Sequence, residues 1–107
     1  MSFLTKDFYI TKGASYQEEF LIRTEFGLLN FALFDLRGKF AQSAYSKNKY
    51  PIGVISPRPG VILITFEPSD TETKKHDRYV YNIECEDEDG FVISLLSGNV
   101  YLSESVA

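Results

Sequence analysis

Cysteine, histidine, tryptophan and methionine are scarce in this chain of 107 residues, which has one Cys, one His, one Met and no Trp. A single cysteine, Cys85, excludes an intrachain disulfide and any zinc site built from several cysteines. The single histidine, His76, excludes a histidine-rich metal site. It lies in the charged segment from Lys74 to Arg78, with no nucleophile motif beside it. We therefore expect neither a bound metal nor a cofactor.

Long apolar runs and catalytic motifs are also missing. No run approaches the roughly 18 residues of a membrane helix, and the segment from Met1 to Asp7 lacks the basic and then apolar order of a signal peptide. The sequence has no glycine-rich phosphate loop, no Gly-x-Ser-x-Gly and no His-Glu-x-x-His. These absences predict a soluble protein that is not an enzyme, is made in a cytoplasm and has no membrane or small-molecule partner.

The charge balance differs between the two halves of the chain. The net charge is −4; residues 1–53 hold seven Lys and Arg against five Asp and Glu, a charge of +2, and residues 54–107 hold four against ten, a charge of −6. A general nucleic-acid binder needs a basic excess to neutralise phosphates. We therefore expect no nucleic-acid partner.

Aromatic residues and turn residues are what the sequence has in quantity. Nine Phe and seven Tyr favour strands over a helical bundle, and seven Gly and four Pro divide most of the chain into short segments. This predicts an all-β fold in one domain, residues 1–107. The specific prediction is a single antiparallel immunoglobulin-like β-sandwich of about seven strands.

Alternation and turn signals place the individual elements. Strands are predicted at 8–11, 16–23, 31–40, 61–66, 78–86, 91–96 and 100–102. Residues 41–50 predict a long loop or a poorly anchored edge strand, and Ser69–Glu72 fits a capping box that starts one helical turn. Asp89 and Gly90 predict a tight hairpin turn, and Gly98 predicts a bulge.

Five acidic residues cluster between Glu84 and Asp89. An EF-hand alignment with Gly90 at the sixth position places Cys85 at the first and Leu96 at the twelfth, where acidic ligands are required. Two interpretations remain open for this hairpin: a solvated acidic tip, or an opportunistic contact with Ca²⁺ or Mg²⁺.

A second cluster mixes cations with tyrosines and forms the candidate partner-binding site. Its members are Arg37, Lys39, Tyr45, Lys47, Lys49 and Tyr50. Tyr and Arg are enriched in protein interfaces, and cations interleaved with aromatics also stack on single-stranded nucleic acid. A solvated loop, a protein contact and a nucleic-acid contact therefore remain open for the loop. One hypothesis pairs it with the acidic hairpin of a neighbouring subunit, so that charge reversal at Lys47 and Lys49 weakens assembly.

The order of several motifs carries a family resemblance. They are Phe8-Tyr-Ile-Thr-Lys-Gly13, Phe34-Asp-Leu-Arg37, Gly60-Val-Ile-Leu-Ile64, Arg78-Tyr-Val-Tyr-Asn-Ile-Glu84, Asp89-Gly90, Leu95-Leu-Ser-Gly98 and Val100-x-Leu102. In this order the chain resembles the small immunoglobulin-like β-sandwich virion proteins of tailed bacteriophages, a group similar to the N-terminal domain of baseplate upper proteins.

The resemblance implies a structural, non-catalytic role in a virion. It implies docking onto other virion proteins, and possibly onto further copies of the chain, in the tail, the baseplate or a fibre attachment. Capsid decoration is an alternative within the same class. A carbohydrate-binding sandwich is an alternative of another class, and Tyr45 and Tyr50 are its expected platform.

Overall fold

The structure, a computed structural model, describes residues 4–24, 27–28 and 30–104. The strands are β1 (Leu4–Thr5), β2 (Phe8–Thr11), β3 (Tyr16–Leu21), β4 (Arg23–Thr24), β5 (Gly27–Leu28), β6 (Asp35–Ala41), β7 (Tyr50–Arg58), β8 (Val61–Phe66), β9 (Arg78–Glu86) and β10 (Val92–Ser103). A 3₁₀ turn spans Phe31–Leu33 and helix α1 spans Pro68–Thr71. No helix in these ranges is long and apolar enough to cross a membrane. The predicted domain limits, residues 1 and 107, lie outside the described residues.

Eight strands form one curled sheet, and β4 and β5 form a separate pair. The order across the sheet begins with β1 and β2, which share one edge on β10, and continues through β9, β6, β7 and β8 to β3. This confirms the all-β prediction. The prediction that the strands are all antiparallel is wrong at one edge, because β1 and β2 pair with β10 in parallel.

Strand β7 connects the two halves of the curled sheet. One half contains β6, β9 and β10, and the other contains β8 and β3. Its first three residues, Tyr50 to Ile52, pair with β6, and its continuation from Gly53 pairs with β8. One strand therefore belongs to both halves, and the sheet is continuous where a sandwich has two separate sheets. Strand β7 is not predicted from the sequence, because Pro51, Gly53 and Pro57 interrupt its apolar alternation.

Alternation along β9 builds one wall of the core. Tyr79, Tyr81, Ile83 and Cys85 are buried, and the residues between them are only partly buried. The buried side chains of the neighbouring strands β6 and β10 extend this wall, and those of β2 and β8 complete the hydrophobic core. Burial, followed by the charges of Asp87 and Glu84, raises the pKa of the Cys85 thiol, which keeps it protonated.

The Phe8 side chain packs between strands from the two ends of the curled sheet. Its ring lies 4.8 Å from the ring of Tyr81 on β9 and 6.0 Å from that of Phe66 on β8, measured between centroids. It also meets the rings of Tyr16 and Phe20 on β3, at 5.6 and 5.9 Å. Strands β2 and β3 stand at opposite ends of the pairing order, so aromatic packing closes the curl.

The shared edge of β1 and β2 is interrupted at Lys6 and Asp7, opposite Gly98. A Cβ atom at Gly98 would stand 2.2 Å from the Lys6 carbonyl oxygen, so glycine permits the close approach of the two backbones. Asp7 Oδ1 accepts hydrogen bonds from the backbone and side-chain nitrogens of Asn99, at 2.9 and 3.2 Å. The Tyr81 hydroxyl donates to the Lys6 carbonyl.

Three local predictions need correction. The register shift in β10 lies between Ser94 and Leu96 and not at Gly98, since the pairing with β9 continues unshifted through Gly98. Residues 31–33 form the 3₁₀ turn, so the strand predicted from residue 31 begins only at Asp35. Helix α1 confirms the predicted turn, but its cap is Glu67, whose backbone nitrogen donates to Asp70 Oδ2 at 2.7 Å.

Truncating Phe8 should destabilise the fold severely. We expect Phe8→Ala to lower the free energy of unfolding by about 3–5 kcal/mol, because the ring is fully buried among four other aromatic rings. The matched control is Phe91→Ala, which truncates a ring that is 65% exposed and should cost about 0.5 kcal/mol or less. Urea unfolding followed by circular dichroism measures both values, and equal losses would contradict the closing role of Phe8.

Candidate functional site

The outer face of the sheet carries an open groove of about 540 Å³ over β6, β9 and β10. Outward positions of neighbouring strands lie side by side, so Lys39 of β6 is in register with Asn82 of β9, which is in register with Ser97 of β10. In the next row Ala41 is in register with Val80. Lys49, from the loop that precedes β7, completes the rim. We call this feature the outer groove.

Arg37 lies at one end of the outer groove and is already paired within the chain. Its Nε donates to Glu84 Oε1 at 2.6 Å and its Nη2 to Glu86 Oε1 at 3.0 Å. Hydrogen bonding to Glu84 and then to Glu86 raises the pKa of the Arg37 guanidinium. Arg37 therefore ties β6 to β9 and neutralises part of the acidic cluster. Arg37 nevertheless lines the groove, and its side chain is 37% exposed.

The rest of the acidic cluster forms the tip of the β9–β10 hairpin, which we define as residues 87–91. Asp87 Oδ1 accepts hydrogen bonds from the backbone nitrogens of Asp89 and Phe91, at 3.0 and 2.9 Å. Gly90 has a φ of 85°, as the predicted turn requires. Asp87 thus shapes the turn, whereas Glu88 and Asp89 are exposed. Within the described ranges, no three His, Cys, Asp or Glu residues are grouped so that they could hold a metal ion.

The predicted basic loop is divided between two surfaces. Lys39 and Lys49 line the outer groove. Lys47 lines a separate hollow of about 240 Å³, which it shares with Gln42, Tyr50 and His76. The loop is shaped by a turn in which the Ser46 backbone nitrogen donates to the Ser43 carbonyl at 3.1 Å. The six candidate residues therefore do not form one site.

The two tyrosines of this cluster have different environments. Tyr45 is 96% exposed, whereas Tyr50 packs with its ring centroid 5.4 Å from that of Phe40 and 6.5 Å from that of Tyr79. Lys74 Nζ stands 4.0 Å from the centre of the Tyr50 ring, within the range of a cation–π contact. Tyr50 therefore supports the fold, and the pair does not form a common aromatic platform.

The structure also brings together two tyrosines that the sequence analysis did not connect. The rings of Tyr9 on β2 and Tyr101 on β10 are stacked, with centroids 5.1 Å apart and planes 15° apart. Tyr9 is 73% exposed. Alternation in β2 indicates that Tyr9 faces away from Phe8, but its position beside Tyr101 depends on the parallel register of β2 on β10. The sequence alone does not show which strand β2 pairs with, so the contact of Tyr9 with Tyr101 could not be predicted from it.

Exposed apolar side chains lie at the last residue of the hairpin tip and directly after it. Phe91 is 65% exposed and Val92, the first residue of β10, is 43% exposed. The acidic residues of the tip therefore stand next to an exposed aromatic ring, a residue type that is enriched in protein interfaces.

No protein-family model and no curated protein matches the chain. The function is therefore argued from the residue chemistry of these surfaces and from the motifs in the sequence.

Tyr45→Ala and Tyr50→Ala should separate the exposed tyrosine from the supporting one. We expect Tyr50→Ala to lower the free energy of unfolding by about 2 kcal/mol, because it removes packing against Phe40 and Tyr79 and the contact with Lys74. Tyr45→Ala should change it by about 0.5 kcal/mol or less. Thermal unfolding of the two variants provides the comparison, and a large loss for Tyr45→Ala would show that its ring has a structural contact.

Proposed function

We propose that this protein is a non-enzymatic structural component of a tailed bacteriophage virion that acts by docking onto other virion proteins. A subunit of the tail or baseplate, or of a fibre attachment, is the specific form of the proposal. The proposal includes an immunoglobulin-like relationship of the fold, supported by seven strand positions across the sheet and by the motifs that extend over most of the chain.

The observation that carries this proposal is the open outer groove, whose rim holds Lys39 and Lys49. Its floor is made of the sheet itself, so a flat or protruding protein surface can reach every part of it. Protein contact surfaces surround a partly apolar centre with a polar rim, and Ala41 and Val80 supply the apolar part here. Docking requires no reacting group, which agrees with the absence of catalytic motifs in the sequence.

Mass spectrometry of purified phage particles tests the proposal. Particles separated into tail and head fractions should contain this chain at a fixed copy number in the tail fraction. Recovery in the head fraction alone would replace the tail assignment with capsid decoration. Absence from both fractions, with known tail proteins detected in the same sample as the control, would contradict a virion role.

A carbohydrate-binding role is the second candidate, and the stacked Tyr9 and Tyr101 rings favour it. Exposed aromatic faces can stack on sugar rings, and this pair replaces the platform predicted from Tyr45 and Tyr50. A glycan array should then give signals that Tyr9→Ala abolishes and that Tyr45→Ala, the control at another exposed tyrosine, leaves intact. An array without signal for the unmodified protein would set this candidate aside.

A further inference from the structure

We infer that the outer groove binds the hairpin tip, residues 87–91, of a second copy of this chain in a head-to-tail contact. The inference rests on the proposed docking function and names the partner of that surface. It is supported by the charges of the two surfaces, by their apolar parts and by their positions on the same strands.

The outer groove has two cations without a partner in the described part of the chain. Arg37 is bonded to Glu84 and Glu86, whereas neither Lys39 nor Lys49 forms an ion pair with any described residue. Both lysines line the groove and are exposed. The groove therefore presents two positive charges to a partner.

The hairpin tip carries exposed negative charges. Glu88 and Asp89 are exposed, and among the described residues no cation lies within ion-pair distance of either. Asp87 is held in the turn by its hydrogen bonds to the backbone of Asp89 and Phe91, which keeps the loop in one conformation. The tip thus presents two negative charges on a preformed turn, and preformed surfaces lose less entropy on binding.

The apolar parts of the two surfaces also match. Phe91 follows the acidic residues directly and is 65% exposed. The groove contains the side chains of Ala41 and Val80, which are adjacent across β6 and β9. An aromatic side chain placed in a partly apolar pocket, with charged pairs around it, is the arrangement that dominates the energy of many interfaces.

A contact between the tip and the groove must join two molecules, because of where the two surfaces lie on the chain. Asn82 of the groove lies on β9, and Glu88 lies in the turn that follows that strand. The turn is held by the hydrogen bonds that Asp87 accepts from Asp89 and Phe91, and β9 is paired with strands on both sides. The tip therefore cannot fold back onto the strands of its own hairpin. Because the two surfaces differ, each copy uses its tip on one neighbour and its groove on another, which generates rings or filaments.

Two charge-reversed variants of the full chain test the contact. The groove variant carries Lys39→Glu and Lys49→Glu, and the tip variant carries Glu88→Lys and Asp89→Lys. Each variant alone places like charges on both surfaces, and we expect its self-association to be at least about tenfold weaker than that of the unmodified protein. An equimolar mixture of the two variants places opposite charges at every contact and should recover the association.

Sedimentation velocity at about 50 mM NaCl, where exposed charges interact over more than 10 Å, measures these associations. Circular dichroism of each variant verifies that it is folded. The control variant carries Arg23→Glu and Lys75→Glu, two exposed positions outside the groove and the tip. It has the same change in net charge as the groove variant and should associate like the unmodified protein. Phe91→Ala should also weaken association, through the apolar part of the contact.

Several results would overturn the inference. They are a monomeric unmodified protein at millimolar concentration, charge-reversed variants that associate normally, and a mixture that fails to recover association. Loss in the groove variant alone would mean that the groove takes a different acidic segment. These results are separable from the virion proposal, because a chain that is found in tail fractions but does not self-associate keeps the virion role and loses only this contact.

Discussion

Packing around the Phe8 ring is the interaction on which the rest of this structure depends. The ring joins β2, at one end of the pairing order, to β3, β8 and β9. Aromatic pairs at these separations stabilise a fold by more than the area that they bury. One side chain therefore stabilises a curl that the pairing of the described strands does not close. The curl in turn places the apolar face of each strand inside. Polar and charged residues on the outer face then become available for contacts.

The outer face shows how the charges are shared between the fold and its surface. Arg37 bridges Glu84 and Glu86, and this triad fastens β6 to β9. In the described part of the chain, no ion-pair partner exists for Lys39 and Lys49 of the groove or for Glu88 and Asp89 of the tip. The overall charge of −4 therefore describes the surface poorly, because the groove lysines, on β6 and before β7, and the anionic tip between β9 and β10 belong to one sheet.

Part of the candidate site could be predicted from residue types, and part could not. Lys39, Lys49 and Tyr45 are exposed as an interface requires, and the predicted hairpin with a glycine in its turn is confirmed. The contacts of Arg37 and Tyr50 within the fold could not be predicted, because Arg37 pairs with residues 47 and 49 positions away and Tyr50 contacts a lysine and a tyrosine 24 and 29 positions away. No local pattern reports such contacts. The stacking of the tyrosines on β2 and β10 could not be predicted for the same reason.

The sequence by itself determined the all-β class, the alternation that buries Tyr79, Tyr81, Ile83 and Cys85, and the hairpin between β9 and β10. Each depends on neighbouring residues, through a period of two or through a turn that needs glycine. Only the tertiary structure decided the parallel edge on β10, the crossing of β7 between the two halves of the curl, and the division of the basic loop between a groove and a hollow. These depend on which strands pair, and pairing is determined by the collective burial of side chains that are far apart in the chain.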